Sequence, residues 1–287
     1  MQKGDAVPAL VEVEVVRRDL EKEIVGRRIK DADVRPGSNA MKVIRRHGRR
    51  KELQELLAGA KVESIGRIGR WLVLHLDNEK SLVFDLDDAG LLLKTSASDG
   101  IATHTHLVLS FTIGGQLRFV DKLRSGEVFV APTTELEEMK SEQGFQIDPL
   151  EQQVTWQHFS ALLVDRDTPL KQLLTDTSFI CGLGDVYSDE ILFTSGLRHD
   201  RPSNKLSSSD VRRLYRALME VLQDALRARG TTQDEEGFKD LQGIPGQYQL
   251  ELKVFEREGE PCRRCRSAIV REESNGYVTY FCPQCQS

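Results

Sequence analysis

The 287-residue chain has no apolar run approaching the length of a bilayer span, no excess of basic residues, and only five cysteines. The first absence excludes a membrane-spanning helix, which needs about 20 consecutive apolar residues. The second excludes a protein that coats nucleic acid without discrimination. Lys and Arg number 40 against 45 Asp and Glu, a net charge of −5, whereas phosphate contacts call for clustered cations. The third, with no secretory segment at the start, excludes a disulfide-stapled extracellular scaffold and leads us to expect reduced thiols and a cytoplasmic location, at the nucleoid if the source is bacterial. With 39% hydrophobic and 30% charged residues, what remains is an ordinary globular protein of roughly two domains.

The few cysteines are not scattered. Cys262 and Cys265 form one Cys-x-x-Cys knuckle, Cys282 and Cys285 another, with sixteen residues, 266 to 281, between them. That is the ligand spacing of a structural tetrahedral zinc site, and it implies one zinc ion; two disulfides, or a ribbon that only staples the fold, are the alternatives. Between the knuckles Ile269-Val270 and Tyr277 to Phe281 read as strands, and Asn275-Gly276 is a strong hairpin-turn signal. The fifth cysteine, Cys181, reads as a small core residue.

Along the rest of the chain, Leu10, Val13, Val16, Leu20 and Ile24 recur at helical spacing after Pro8 and predict an amphipathic helix. From Lys61 to Val130 the pattern turns to strands: residues 71–76, 81–84, 91–93, 106–109 and 116–120, separated by turn residues such as Asp77-Asn78 and Gly114-Gly115. An all-β sandwich or barrel is expected there. Pro132 to Gln143, polar and acidic, reads as a linker. Helical spacing returns from Trp156 to Arg229, with Thr155 as an N-cap and Ser207-Ser208-Ser209-Asp210 as a helix start. The expected division is 1–131 for helix and sandwich, 132–145 for a linker, 146–234 for a helical domain and 235–287 for the ribbon. Two basic clusters stand out, Arg45-Arg46-His47-Gly48-Arg49-Arg50-Lys51 and Arg263, Arg264 and Arg266 of the ribbon. Gly182-Leu183-Gly184-Asp185 precedes a helix without a strand before it, so it fails the context of a dinucleotide-binding turn.

Three separated stretches together resemble one family. Pro8-Ala9-Leu10-Val11-Glu12-Val13-Glu14, the run Leu173-Leu174-Thr175-Asp176 leading to Gly182-Leu183-Gly184-Asp185-Val186-Tyr187-Ser188-Asp189-Glu190, and Arg257-Glu258-Gly259-Glu260-Pro261-Cys262 are similar to the opening, the helix-two-turn-helix signature and the zinc-finger approach of the formamidopyrimidine-DNA glycosylase and endonuclease VIII family. The resemblance implies an α+β multidomain fold: an N-terminal helix plus β-sandwich, a helix-two-turn-helix domain and a C-terminal zinc-ribbon β-hairpin. It implies enzymes that flip a damaged base out of the duplex and attack the sugar with the secondary amine of an N-terminal proline.

The chemistry-bearing positions depart from that pattern. Pro8 follows Val7, so its nitrogen is a tertiary amide with no lone pair to offer. Ala9 stands where the family's proton-handling glutamate is expected, and Arg70, in Gly69-Arg70-Trp71-Leu72, where a lysine is; arginine holds charge but does not give up a proton. Glu12 and Glu14 remain, as acids or as the polar face of the first helix. Asp88, Leu123 and Ser125 replace the residues that fill the gap behind a flipped base. Lys171 and Gly184 are retained DNA-binding candidates, Arg124 is the candidate of its loop, Asp185 replaces a phosphate-binding asparagine and Tyr277 a phosphate-clamping arginine. His104 and His106 keep a family-like spacing. These replacements lead us to expect a protein that binds DNA, weakly and as a monomer, without base excision or AP-lyase chemistry. The alternatives are an active glycosylase and lyase on oxidised purines using Pro8 after removal of seven residues, and a module for a protein partner.

Overall fold

The structure, a computed structural model, describes residues 9–36, 40–87, 89–151, 154–164, 166–235, 237–274 and 276–287. Pro8, Asp88 and Asn275, each singled out above, lie outside them. The chain opens with α1 (Leu10–Ile24), β1 (Ile29–Val34) and the short helices α2 (Ala40–Val43) and α3 (Arg50–Leu57). Seven strands follow: β2 (Val62–Ile68), β3 (Trp71–Leu76), β4 (Lys80–Asp85), β5 (Gly90–Thr95), β6 (Thr105–Phe111), β7 (Gln116–Asp121) and β8 (Glu127–Pro132). After α4 (Leu136–Glu142) come α5 (Trp156–Val164), α6 (Leu170–Thr175), α7 (Gly184–Ser195), α8 (Ser208–Arg227) and the hairpin β9 (Val270–Ser274) with β10 (Tyr277–Phe281). The chain divides into two compact units, one running up to Glu142 and including Arg229–Gln247, the other Gln143–Ala228 with Tyr248–Ser287.

The first unit is a sandwich of two antiparallel four-stranded sheets, ordered β1-β6-β7-β5 and β2-β3-β4-β8. Strands β3 and β4 do not alternate between buried and exposed: from Trp71 to Leu74 and from Ser81 to Phe84 every residue is buried, which requires cover on both faces. One set of side chains faces the other sheet, where the Phe84 and Phe119 rings lie 6.0 Å apart. The alternate set, Trp71, Val73, Val83 and Phe129, is covered by Leu136 and Met139. The acidic stretch expected to be a linker is therefore mostly structure. Leu136 and Met139, three apart on α4, form a short apolar stripe that its acidic residues obscure.

Residues 235–247, expected with the ribbon, fall in the first unit instead. The Arg229 guanidinium bonds both Asp19 of α1 and Asp240, the Thr231 N–H donates to Glu12 at 2.7 Å, and the Lys94 N–H donates to the Leu241 carbonyl at 2.8 Å. The segment belongs with α1 and β5.

In the second unit the anticipated caps are present. The Thr155 hydroxyl accepts the His158 N–H at 3.2 Å, and Ser207 and Asp210 form a reciprocal capping box at the start of α8. Burial pushes the Asp210 carboxyl up, but hydrogen bonds from Arg213, Ser207 and Arg201 outweigh it and hold the group well below the usual carboxylate range. A depressed folded value means stabilisation that is present above the unfolded value, near pH 4, and lost as the pH falls through the folded one. Asp210→Asn is expected to cost about 1 kcal/mol near neutral pH, a deficit relative to wild type that shrinks below about pH 4. Urea unfolding at a series of pH values measures it.

Candidate metal centre and nucleic-acid interface

The metal centre comes from two tight turns at the open end of the β9–β10 hairpin, one leading into β9 and one leaving β10. The four cysteine sulfurs lie within 4.8 Å of one another; Cys262 to Cys285 is 3.9 Å and Cys265 to Cys282 is 3.4 Å. A tetrahedron with zinc–sulfur bonds of about 2.3 Å has edges of about 3.8 Å, so the donor set fits one zinc ion. The same distances rule out the disulfide alternative, which requires about 2.05 Å. The knuckles are braced from outside. The Cys282 N–H donates to Gln286, whose amide in turn donates to the Leu197 carbonyl. Arg264 lies over the Phe193 ring, 4.3 Å from its centroid, and donates to the Phe193 carbonyl at 2.9 Å in the last turn of α7, a favourable place for a cation. Arg264 is thus an element of packing.

Helix α7 joins this centre to the helical part of the unit. Gly182 and Gly184 have φ of +52° and +63°, conformations a side chain resists, and they turn the chain into the helix. Asp189, fully buried, accepts from Lys171 Nζ at 2.9 Å, from the Thr279 hydroxyl at 2.7 Å and from the Tyr280 N–H at 2.8 Å. Glu190, also fully buried, accepts the N–H groups of Lys253, Val254 and Phe255. Burial raises both carboxyls above their ordinary values, opposed by Lys171 and Thr279 at the first and by the three amides at the second.

Lys171 is therefore committed. It is 3% exposed, bonds Ser188 and Asp189, and pairs with Asp185 at 3.0 Å. Asp185 is exposed in the first turn of α7, beside exposed Gly184. Tyr277 is half-buried at the start of β10, opposite Ser274.

In the first unit, Ala9 precedes α1 and supplies no side-chain cap. Glu12 is 3% exposed and accepts the Thr231 N–H. Glu14 binds Arg17, Arg18 and Arg67; burial pushes its carboxyl up, but the arginines win and hold it below its usual value. Arg70 stands 3.9 Å from Asp87. The loop after β7 is pinned at Asp121, whose carboxylate accepts the N–H groups of Arg124 and Gly126 and whose carbonyl lies 2.7 Å from His106 Nε2. Arg124 is half-buried with φ +58°, and Leu123 is left 59% exposed at the tip. The Thr231–Glu12 bond, which spans 219 residues, leaves no local signal in the sequence. Asp189 and Glu190 close the Gly182-to-Glu190 motif, whose pattern does not show that both are buried.

The sandwich, the helical domain and the four-cysteine finger together define a DNA-repair glycosylase scaffold. Residues 7–128 match the formamidopyrimidine-DNA glycosylase N-terminal domain, 145–236 its H2TH domain, and 259–287 a zinc finger found in FPG and IleRS. The formamidopyrimidine-DNA glycosylase of Pelotomaculum thermopropionicum is 34% identical over 280 residues, 98% of this chain and 99% of that protein. That of Heliobacterium modesticaldum is 35% identical over 283 residues, covering 98% and 100%. Among solved structures, Lactococcus lactis Fpg in complex with abasic-site DNA superposes with a TM-score of 0.86 at 26% identity, covering 97% of this chain and 99% of that one. Thermus thermophilus MutM (Fpg) gives 0.82 at 30%, covering 97% and 98%. The chain belongs to the formamidopyrimidine-DNA glycosylase family.

Purified protein is expected to carry one zinc per chain. Cys282→Ser is expected to lose it and to lower the thermal midpoint of the second unit, since a structural site of this kind contributes folding energy directly. Elemental analysis and a thermal melt check both.

Proposed function

We propose that this chain is a DNA-binding member of its family that performs neither base excision nor strand cleavage. The observation that carries this is the Val7–Pro8 peptide bond: an acylated proline nitrogen has no lone pair with which to attack a sugar. The neighbouring position supports it, because Ala9 can transfer no proton. Arg70 supports it too, since an arginine stands where the family's lysine is expected and its guanidinium lies near Asp87. DNA is the partner by analogy with Lactococcus lactis Fpg, whose structures hold DNA containing an abasic site or Fapy-dG. Binding is weak, because the start of α7 offers the carboxylate of Asp185 and a lysine already engaged by Asp185 and Asp189.

With the N-terminus confirmed by mass spectrometry to extend before Pro8, borohydride treatment on duplex containing an abasic site or an oxidised purine is expected to trap no covalent adduct. A robust adduct overturns the proposal. Duplex binding followed by fluorescence anisotropy is expected to be saturable, and its absence on every DNA form sinks the DNA-binding part. Asp185→Asn removes an anion from the face presented to phosphate and is expected to tighten binding roughly fivefold, from about 1 kcal/mol of relieved repulsion in water.

A further inference from the structure

We propose that the cleft between β1 and the start of α3 is a separate binding site for the phosphodiester backbone of nucleic acid, built on the basic run that neither the zinc centre nor α7 uses. The cleft, about 470 Å³, is lined by Asp33, Val34, Arg49, Arg50, Lys51 and Gln54, three cations to one carboxylate.

The basic run divides into a structural half and an uncommitted half. Arg46 is packed over Phe129, 4.1 Å from the ring centroid, and both Arg45 and Arg46 lie near Glu127. Beyond His47 the pattern changes. Among the described residues Arg49 forms no ion pair, and the Arg50 guanidinium donates to the Val34 carbonyl at 3.4 Å and meets no carboxylate. Lys51 pairs with Glu55 at 3.6 Å with both side chains more than two-thirds solvent-exposed, an arrangement worth little and readily exchanged. The lining carboxylate, Asp33, is already held by Arg35 at 2.9 Å. Glu52 does not line the cleft; its carboxylate accepts the Gly48 N–H at 3.0 Å and lies 3.8 Å from His47 Nδ1. In a chain where acidic residues outnumber basic ones 45 to 40, two adjacent exposed arginines without a carboxylate partner concentrate positive potential that the net charge conceals.

Geometry indicates the form of the ligand. Arg49 is extended, with φ −149° and ψ 145°, and Arg50 and Lys51 open α3. Arg50 and Lys51, successive on the helix, diverge by about 100°, and Arg49 leaves from extended backbone before them, so the three cations line the cleft without sharing one helical face. A single phosphate ion would meet one of them; a backbone with repeated phosphates can meet all three, each contact releasing counterions.

This inference rests on the reading of the chain as DNA-binding, and the test separates the two. Affinity for a random-sequence duplex is measured by anisotropy from 50 to 200 mM salt, ranges over which phosphate contacts dominate, for the full chain, for the triple variant Arg49→Gln, Arg50→Gln, Lys51→Gln, and for the charge-preserving Arg49→Lys, Arg50→Lys, Lys51→Arg. The neutral variant is expected to reduce the slope of log affinity against log salt by about 2 to 3 and to weaken binding at least tenfold at the upper end. The charge-preserving variant is expected to keep the wild-type slope, and equal zinc content and thermal midpoint establish that all three are folded. If wild type binds and the neutral variant binds with unchanged slope, the cleft is no phosphate site while the DNA-binding reading stands. If wild type itself binds no duplex, both fall.

Discussion

The second unit depends on two adjacent carboxylates of α7 that are removed from water. A buried charge is tolerated only when paired and hydrogen-bonded, and Asp189 and Glu190 meet that demand in different directions. Asp189 reaches Lys171 of α6 on one side and Thr279 and Tyr280 of β10 on the other. Glu190 gathers the amides of residues 253 to 255, the segment that leads to the first zinc knuckle. Removing either carboxylate would leave buried donors unsatisfied, at roughly 1–3 kcal/mol each. The sequence Gly182-Leu183-Gly184-Asp185-Val186-Tyr187-Ser188-Asp189-Glu190 is therefore largely a statement about assembly: its glycines turn the chain and its last two residues lock the helix to the finger.

That has an electrostatic consequence at the other end of the same helix. The first turn of a helix attracts anions, and here the protein supplies its own. One lysine faces two carboxyl groups, Asp185 at 3.0 Å and Asp189 at 2.9 Å, so it is already engaged before any phosphate approaches. An incoming phosphate must displace Asp185 from Lys171 or bind against it. The retained lysine thus reads differently in sequence and in space: its presence is family-like, while its charge is spent inside the unit.

Much of the architecture was readable from local signals. Helix α1 has the expected bounds, the five anticipated strands are present, both caps form, and the cysteine spacing gave the metal site. The elements that escaped have physical reasons in common. β1, β2 and β8 carry charged or small residues at several positions, and for two of them the pairing partner lies far along the chain: β1 with β6 and β8 with β4. α4 hides two apolar residues among acids. The segment 229–247 looks polar because its attachment is polar, through Arg229, Thr231 and Asp240, and such bonds leave no periodicity. For the candidate site, residue identities at 9, 70 and 185 were legible at once. Their engagement was not: that Lys171 is buried, Arg70 near Asp87 and Arg264 stacked on Phe193 follows only from tertiary placement.

The zinc centre shows why scaffold residues and chemistry-bearing residues can part company. Strand β9 is mostly exposed, β10 half-buried, and each is five residues long; a two-stranded hairpin of that size is at best marginal in water. Its small apolar cluster includes two of the metal ligands themselves, Cys262 and Cys282, with Phe193, Val254 and Ile269. Loss of the metal would therefore remove both the cross-link and the packing around it, whatever the unit does. The same holds for Asp189 and Glu190, which the hairpin and its approach require as acceptors. A change at Ala9, Arg70 or Tyr277 carries no comparable structural cost, because none of these side chains satisfies a buried group. Folding alone thus requires the cysteines, the glycine turn and the α7 carboxylates, and makes no comparable demand at positions 9, 70 and 277.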